Sequence, residues 1–193
     1  MKKDCHNAVT DEQMICISCG AQHSISAVPS TCTKCDGILD LVRGPKELQV
    51  QDPKAHGIWR WARQLSNCRP QNRISLGEGD TPLLSVKRLG AAFGLDDLWV
   101  KNDAMMPSGS FKDRAIALAT SLACEYGREG LVLASSGNAG ASGAAYAARA
   151  GKQLLVLVPK TAPGAKLRQI AAAGAKLVTS MVRSVIVSSW RIS

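Results

Sequence analysis

The chain has 193 residues, 46% hydrophobic, 4% aromatic and 20% charged, the make-up of one globular domain or of a small module plus a domain, which excludes a disordered chain. No apolar run approaches the ~20 residues of a membrane span, and the start from Met1 to His6 lacks an apolar signal core, so a cytoplasmic protein with no membrane partner is expected. The net charge of +9 does not point to nucleic acid, because all 15 acidic side chains lie in residues 1–129, and the eight basic ones of residues 130–193 are scattered singly with only Tyr146 and Trp190 as aromatics.

Seven cysteines is an odd number, and four of them are ordered: Cys16 and Cys19 form one Cys-x2-Cys pair, Cys32 and Cys35 a second. Two residues between thiolates let one tight turn present both sulfurs to a single ion, and Gly20 and Gly37 lie where such turns close. Residues 1–40 are therefore expected to be a four-cysteine zinc-ribbon-like module. His6 and His23 read as surface histidines. Cys5, Cys68 and Cys124 read as ordinary thiols, Cys124 packing as a small apolar group.

Residues 41–73 read as a connector, with one helix from His56 to Gln64 whose Trp59 and Trp61 pack on a neighbouring domain. From Ile74 the texture changes. Ser75-Leu76-Gly77-Glu78-Gly79-Asp80-Thr81-Pro82-Leu83 is a defined turn. Leu98–Lys101 reads as a strand, Phe111–Gly127 as a helix, Gly130–Ser135 as a buried strand and Asn138–Ala150 as a helix stopped by Gly151. Gln153–Val158 reads as a strand, Pro163–Ala173 as a helix and Ala175–Thr179 as a strand. Continuous apolar strands alternating with helices specify an α/β fold, with a parallel sheet covered by helices on both faces. Ser180–Ser193 is either one more strand or a tail.

Two turns in this region suit chemistry. In Pro107-Ser108-Gly109-Ser110-Phe111-Lys112-Asp113-Arg114, Ser110 and Asp113 have capping-box spacing, which puts Lys112 in a first helical turn. A lysine there suits a Schiff base, although a solvated lysine is the plainer reading of the residue type. Ser135-Ser136-Gly137-Asn138-Ala139-Gly140-Ala141-Ser142 follows a strand and opens a helix. Small residues and a helix N-terminus suit a carboxylate or phosphate, and a tight turn capped by Asn138 is the competing reading.

Taken in order, these segments resemble the fold-type II pyridoxal phosphate enzymes (tryptophan synthase beta-like), and within them the threonine synthases, where Glu-Gly-x-Thr-Pro-Leu also precedes the lysine motif. The likeness runs over about residues 14–179, and some members carry a cysteine-rich ribbon. The resemblance implies that Lys112 forms the Schiff base with pyridoxal phosphate and later shuttles protons. It implies that Asn138 bonds the 3-hydroxyl of the cofactor, and that Ser135, Ser136, Gly137 and the neighbouring helix amides hold the carboxylate of a small amino-acid substrate. It also implies a homodimer in the full-length family, and the conversion of O-phosphohomoserine and water to threonine and phosphate.

There are two departures. Threonine synthases commonly place threonine after the asparagine, where it helps bind the substrate's phosphate, and here the residue is Ala139. Threonine or serine dehydratase, diaminopropionate ammonia-lyase and cysteate synthase activities therefore stay open, as does a nonenzymatic zinc-ribbon binding protein. Second, family members are longer, and their glycine-rich phosphate loop lies well downstream of the asparagine motif. The segment Met181–Ile186 also lacks the Gly-x-x-Asp-Asp-Ala-like pattern. Residues 74–193 are thus expected to be the N-terminal part of the catalytic domain, with a small strand-helix-strand domain at about 111–180, in a truncated chain of little activity.

Overall fold

The computed structural model describes residues 12–25, 29, 31–43, 51–65 and 67–180. The readings of Cys5, His6 and the segment after Ser180 lie outside these residues.

Strands β1 (Glu12–Cys16), β2 (Gln22–His23) and β3 (Leu39–Arg43) form an antiparallel sheet in the order β2-β1-β3, with Met14 opposite both His23 and Leu41. Its sheet reaches Arg43, past the boundary expected at 40. The buried residues beneath it are Cys16, Ala21 and Cys32, with Leu39 partly covered.

The connector segment Gly57–Gln64 is not an α-helix but a pair of 3-10 turns broken at Trp61. Three residues per turn set Trp59 and Trp61 on different sides. Trp59 is buried and donates its indole N–H to the Ile74 carbonyl at 3.2 Å, whereas Trp61 is exposed. This turn interlocks with the loop at Glu78. A Cβ on Gly57 would lie 2.0 Å from the Glu78 carbonyl oxygen, and one on Gly79 would lie 2.8 Å from the Gly57 Cα.

Strands β4 (Leu83–Ser85) and β5 (Trp99–Lys101) make a two-stranded antiparallel ribbon around helix α1 (Lys87–Ala92). The long helix α2 (Lys112–Glu125) leads into β6 (Gly130–Ala134), α3 (Asn138–Arg149), β7 (Gln153–Pro159), α4 (Gly164–Ala172) and β8 (Lys176–Ser180). The last three strands pair in parallel in the order β6-β7-β8. Right-handed crossovers between sequential neighbours put α3 and α4 on one face. There Leu154, Val156 and Val158 are buried against Ala141, Ala144, Ala147 and Ile170. Leu155 and Leu157, on the second face, are only half-buried. Among the described residues α2 packs mainly on α3 and also touches β6. Tyr146 of α3 is buried in that second cluster with Ala117 of α2, Trp59 and Ile58.

Candidate functional site

The topology brings two turns to one end of the sheet. Only residues 126–129 join α2 to β6, so α2 runs antiparallel to β6 and its first turn lies by the strand's C-terminal end. Residues 135–137 join β6 to α3, which places the first turn of α3 at that same end. Ligands of open α/β sheets bind outside the carboxyl ends of the strands.

Lys112 is the first residue of α2 and is half-buried, with its ammonium 4.5 Å from the centre of the exposed Phe111 ring. Its backbone N–H donates to Ser110 Oγ at 3.3 Å. The expected reciprocal capping box is not made. The Asp113 carboxylate reaches past Ser110 to Ser108, accepting from its N–H at 2.7 Å and its hydroxyl at 2.5 Å. Gly109, with φ +73, bends the chain between them.

In the second turn, Ser135 Oγ accepts from the amides of Gly137 at 3.3 Å and Gly140 at 3.2 Å. The cap is therefore built by Ser135, with Gly137 at the N-cap position, and not by Asn138. Ser135 keeps its O–H as a donor. The backbone N–H groups of Asn138 and Ala139 have no acceptor among the described residues, and the Asn138 side chain is exposed. Ser136 and Gly137 are half-buried beside them, and a Cβ on Gly137 would meet nothing within 4 Å. Free amides, a hydroxyl donor and the positive end of α3 fit an anionic group. An amine, an amide side chain and open backbone amides are donor types that suit the aldehyde and ring hydroxyl of pyridoxal phosphate and an amino acid's carboxylate.

One buried feature was missed in the sequence. Glu78, fully buried, accepts through Oε2 from the Tyr146 hydroxyl at 2.8 Å, Ser75 Oγ at 3.0 Å and the Leu76 N–H at 3.0 Å. Burial, then the Glu78 hydrogen bond, raises the Tyr146 phenol far above its usual range. Glu78 reads as a turn residue, and only the fold shows it pinned to α3. Cys68 is also buried, and burial pushes its thiol up to about 11, so it stays in the unreactive protonated form.

The four expected metal ligands do converge. The sulfurs of Cys16, Cys19, Cys32 and Cys35 all lie within 4.8 Å of one another. Four thiolates bound to one zinc ion at about 2.3 Å lie about 3.8 Å apart, so the cluster has the right size. In the first turn Gly20 takes φ +70, as the glycine reading requires, but in the second the left-handed residue is Asp36 at φ +55. Gly37 is needed for closeness, since a Cβ there would lie 2.9 Å from Cys16 Sγ. The Cys19 backbone N–H lowers the Cys16 thiol to about 6. Cys35 is raised to about 12; the Gly37 N–H opposes this, but the crowding sulfurs of Cys19 and Cys16 outweigh it. A cation among the sulfurs would relieve that repulsion. His23 is not a plain surface histidine: it is half-buried with Nε2 3.3 Å from Cys32 Sγ.

Among the described residues no helix is long and apolar enough to cross a membrane. A threonine synthase of Methanosarcina acetivorans is 37% identical over 170 residues, covering 85% of this chain and 41% of that protein. A threonine synthase of Methanocaldococcus jannaschii is 38% identical over 171 residues, covering 84% and 42%. The chain thus spans about two fifths of the length of these relatives. An Escherichia coli diaminopropionate ammonia lyase, solved in its apo form, superposes with a TM-score of 0.50 at 19% identity over 61% of this chain and 41% of that one, a likeness of fold. Residues 74–186, which hold both turns, match the family model described as pyridoxal-phosphate dependent enzyme, and the chain belongs to that family.

Proposed function

We propose that this chain carries the lysine-bearing part of a threonine-synthase-type enzyme, which converts O-phosphohomoserine and water to threonine and phosphate. The observation that carries the reading is the placement of Lys112 and the open amide turn at Ser135–Asn138 at one end of the sheet. Pyridoxal phosphate, when bound, supplies an electron sink for negative charge at the substrate's α-carbon. Lys112 holds the cofactor through its amine and, once freed, moves protons at the substrate's carbons. The Asn138 amide orients the cofactor ring at its 3-hydroxyl. Ser135, Ser136 and the Gly137–Ala139 amides hold the amino acid's carboxylate against the helix dipole.

The same reading divides the chain into a ribbon at 1–40, a connector at 41–73 and catalytic residues from 74, including a small domain at about 111–180. It assigns zinc to the four cysteines. It keeps the cytoplasmic address expected from the sequence and takes a homodimeric whole enzyme from the family resemblance.

Borohydride reduction of the full chain with pyridoxal phosphate, followed by peptide mapping, tests the assignment. Label on Lys112 in preference to all other lysines is expected, and scattered label would sink it. Substrate class is tested by phosphate release from O-phosphohomoserine against ammonia release from serine, threonine or diaminopropionate. The missing hydroxyl at Ala139 makes that contrast informative, and ammonia release alone would replace the threonine-synthase reading with a dehydratase or ammonia-lyase one.

A further inference from the structure

The segment that delivers Lys112 is closed at two points by carboxylates. Asp103, in the 3-10 turn Asp103–Met105, accepts from Arg114 Nη1 at 2.7 Å and Nη2 at 2.9 Å. Thr81 Oγ1 donates to the same carboxylate at 3.0 Å. This pair ties the residue before the loop to the second residue after Lys112. A bidentate guanidinium–carboxylate pair fixes orientation as well as distance. Inside that ring, fully buried Asp113 takes both donors of Ser108, its N–H at 2.7 Å and its hydroxyl at 2.5 Å. Lys112 therefore sits directly before two residues that are each fastened to the incoming loop. The Gly79 amide, 3.3 Å from Met106 Sδ, and the Asn102 amide, 2.9 Å from the Pro82 carbonyl, hold the same loop against the Glu78 turn. A chain of this length without such ties would sample many positions for the amine.

We propose that Asp103 and Asp113 are positioning residues for Lys112, which fix the first turn of α2 and so set where its amine meets an aldehyde-bearing cofactor. This rests on the reading of Lys112 above. Neither carboxylate is assigned a contact with the cofactor. Both act through the backbone that carries the amine. A purely structural role would lower the melting temperature without changing which lysine of the folded chain reacts.

The test compares the wild-type chain with Asp103→Asn, Ser108→Ala and the double exchange of Asp103→Arg with Arg114→Asp. Each is labelled with pyridoxal phosphate and borohydride for timed intervals, and the rate is read lysine by lysine by peptide mapping. Circular dichroism and thermal melts confirm that each chain is folded at the labelling temperature. Asp103 is about a third exposed, its side chain at 35%, so the amide at this site is compatible with folding. Asp103→Asn is expected to slow Lys112 about tenfold or more, the size of effect that a small misplacement of a reacting group produces. Other lysines should keep their rates. Ser108→Ala removes one of two donors and should cost less, and the exchanged pair should recover part of the loss. A loss in only one variant assigns positioning to that carboxylate and overturns it for the other. Unchanged Lys112 rates in both folded variants overturn the proposal. A wild-type chain with no preference for Lys112 overturns the reading of Lys112 itself, and this inference with it.

Discussion

Two sheets of this chain are held together by different materials. The sheet from Glu12 to Arg43 buries Cys16, Ala21 and Cys32, with Leu39 partly covered, and its two turns end in sulfurs that converge on one point. The sheet from Gly130 to Ser180 buries Leu154, Val156, Val158 and Ile170 against the alanines of α3. The three small buried residues of the first sheet remove little apolar surface from water to set against the entropy of ordering it, whereas the strand-helix core of the second buries larger side chains. On the proposal that zinc fills the four-cysteine cluster, the first region would lean on a cation and the second on its apolar side chains. Between them, Glu12 of β1 accepts the Asn67 N–H through both carboxylate oxygens, at 3.0 and 3.2 Å, so the ribbon is docked although it is stabilised separately.

The sharpest way to break this contrast is to add a chelator, on the proposal that zinc fills the four-cysteine cluster. Structural zinc contributes about 10–16 kcal/mol of binding energy that is also folding energy. Chelation, or Cys32→Ser, is expected to abolish hydrogen-exchange protection across Glu12–Arg43 while the amides of Leu154–Val158 keep theirs. Protection of the ribbon that survives chelation would show that its sheet stands without metal.

A smaller effect tests the other side. Ile170 is fully buried at the centre of the β7 core, and Ile170→Ala should cost about 2–5 kcal/mol in urea unfolding of this part. Zinc uptake by the four-cysteine cluster, where the proposal holds, should not move. A parallel loss of metal would mean that the two regions fold as one unit.

The smallest expected effect is electrostatic. Hydrogen bonds from Arg114 hold Asp103 near 2, below the ordinary aspartate value of 3.8. A depressed folded-state value means the pair stabilises fully above the ordinary carboxylate range and loses its contribution as pH falls from about 4 toward 2. The stability difference between wild type and Asp103→Asn, measured by acid titration of the circular dichroism signal, should narrow over that window. A difference that stays constant would show that the pair contributes through packing rather than charge.

Much of this was legible in local chemistry. Cys-x2-Cys spacing carries its own geometry, because two residues between thiolates leave few ways to close the turn. The alternation of apolar strands with helices bounded by Gly127, Gly151 and Gly174 follows from chain-local rules, and each of those glycines does take a positive φ. The lysine and asparagine turns were visible for the same reason, since both are short and contiguous. The His56–Gln64 segment reads as a helix, and its 3-10 form is not visible in the sequence because nothing local distinguishes three residues per turn from 3.6 over so short a run. The capping box failed because Asp113 had a better partner in Ser108, which the bend at Gly109 brings into reach.

What only the tertiary structure decided are the partnerships between residues far apart in the chain. Glu78 meets Tyr146, Asp103 meets Arg114, and Gly57 and Gly79 interlock with no room for a Cβ. His23 comes beside Cys32 by the same means. The sequence by itself determined residue chemistry, turn closure and strand-helix rhythm, because these depend on neighbours within a few positions. Which buried carboxylate finds which donor depends on how the loops are laid across the helices, and that is settled only when the core closes.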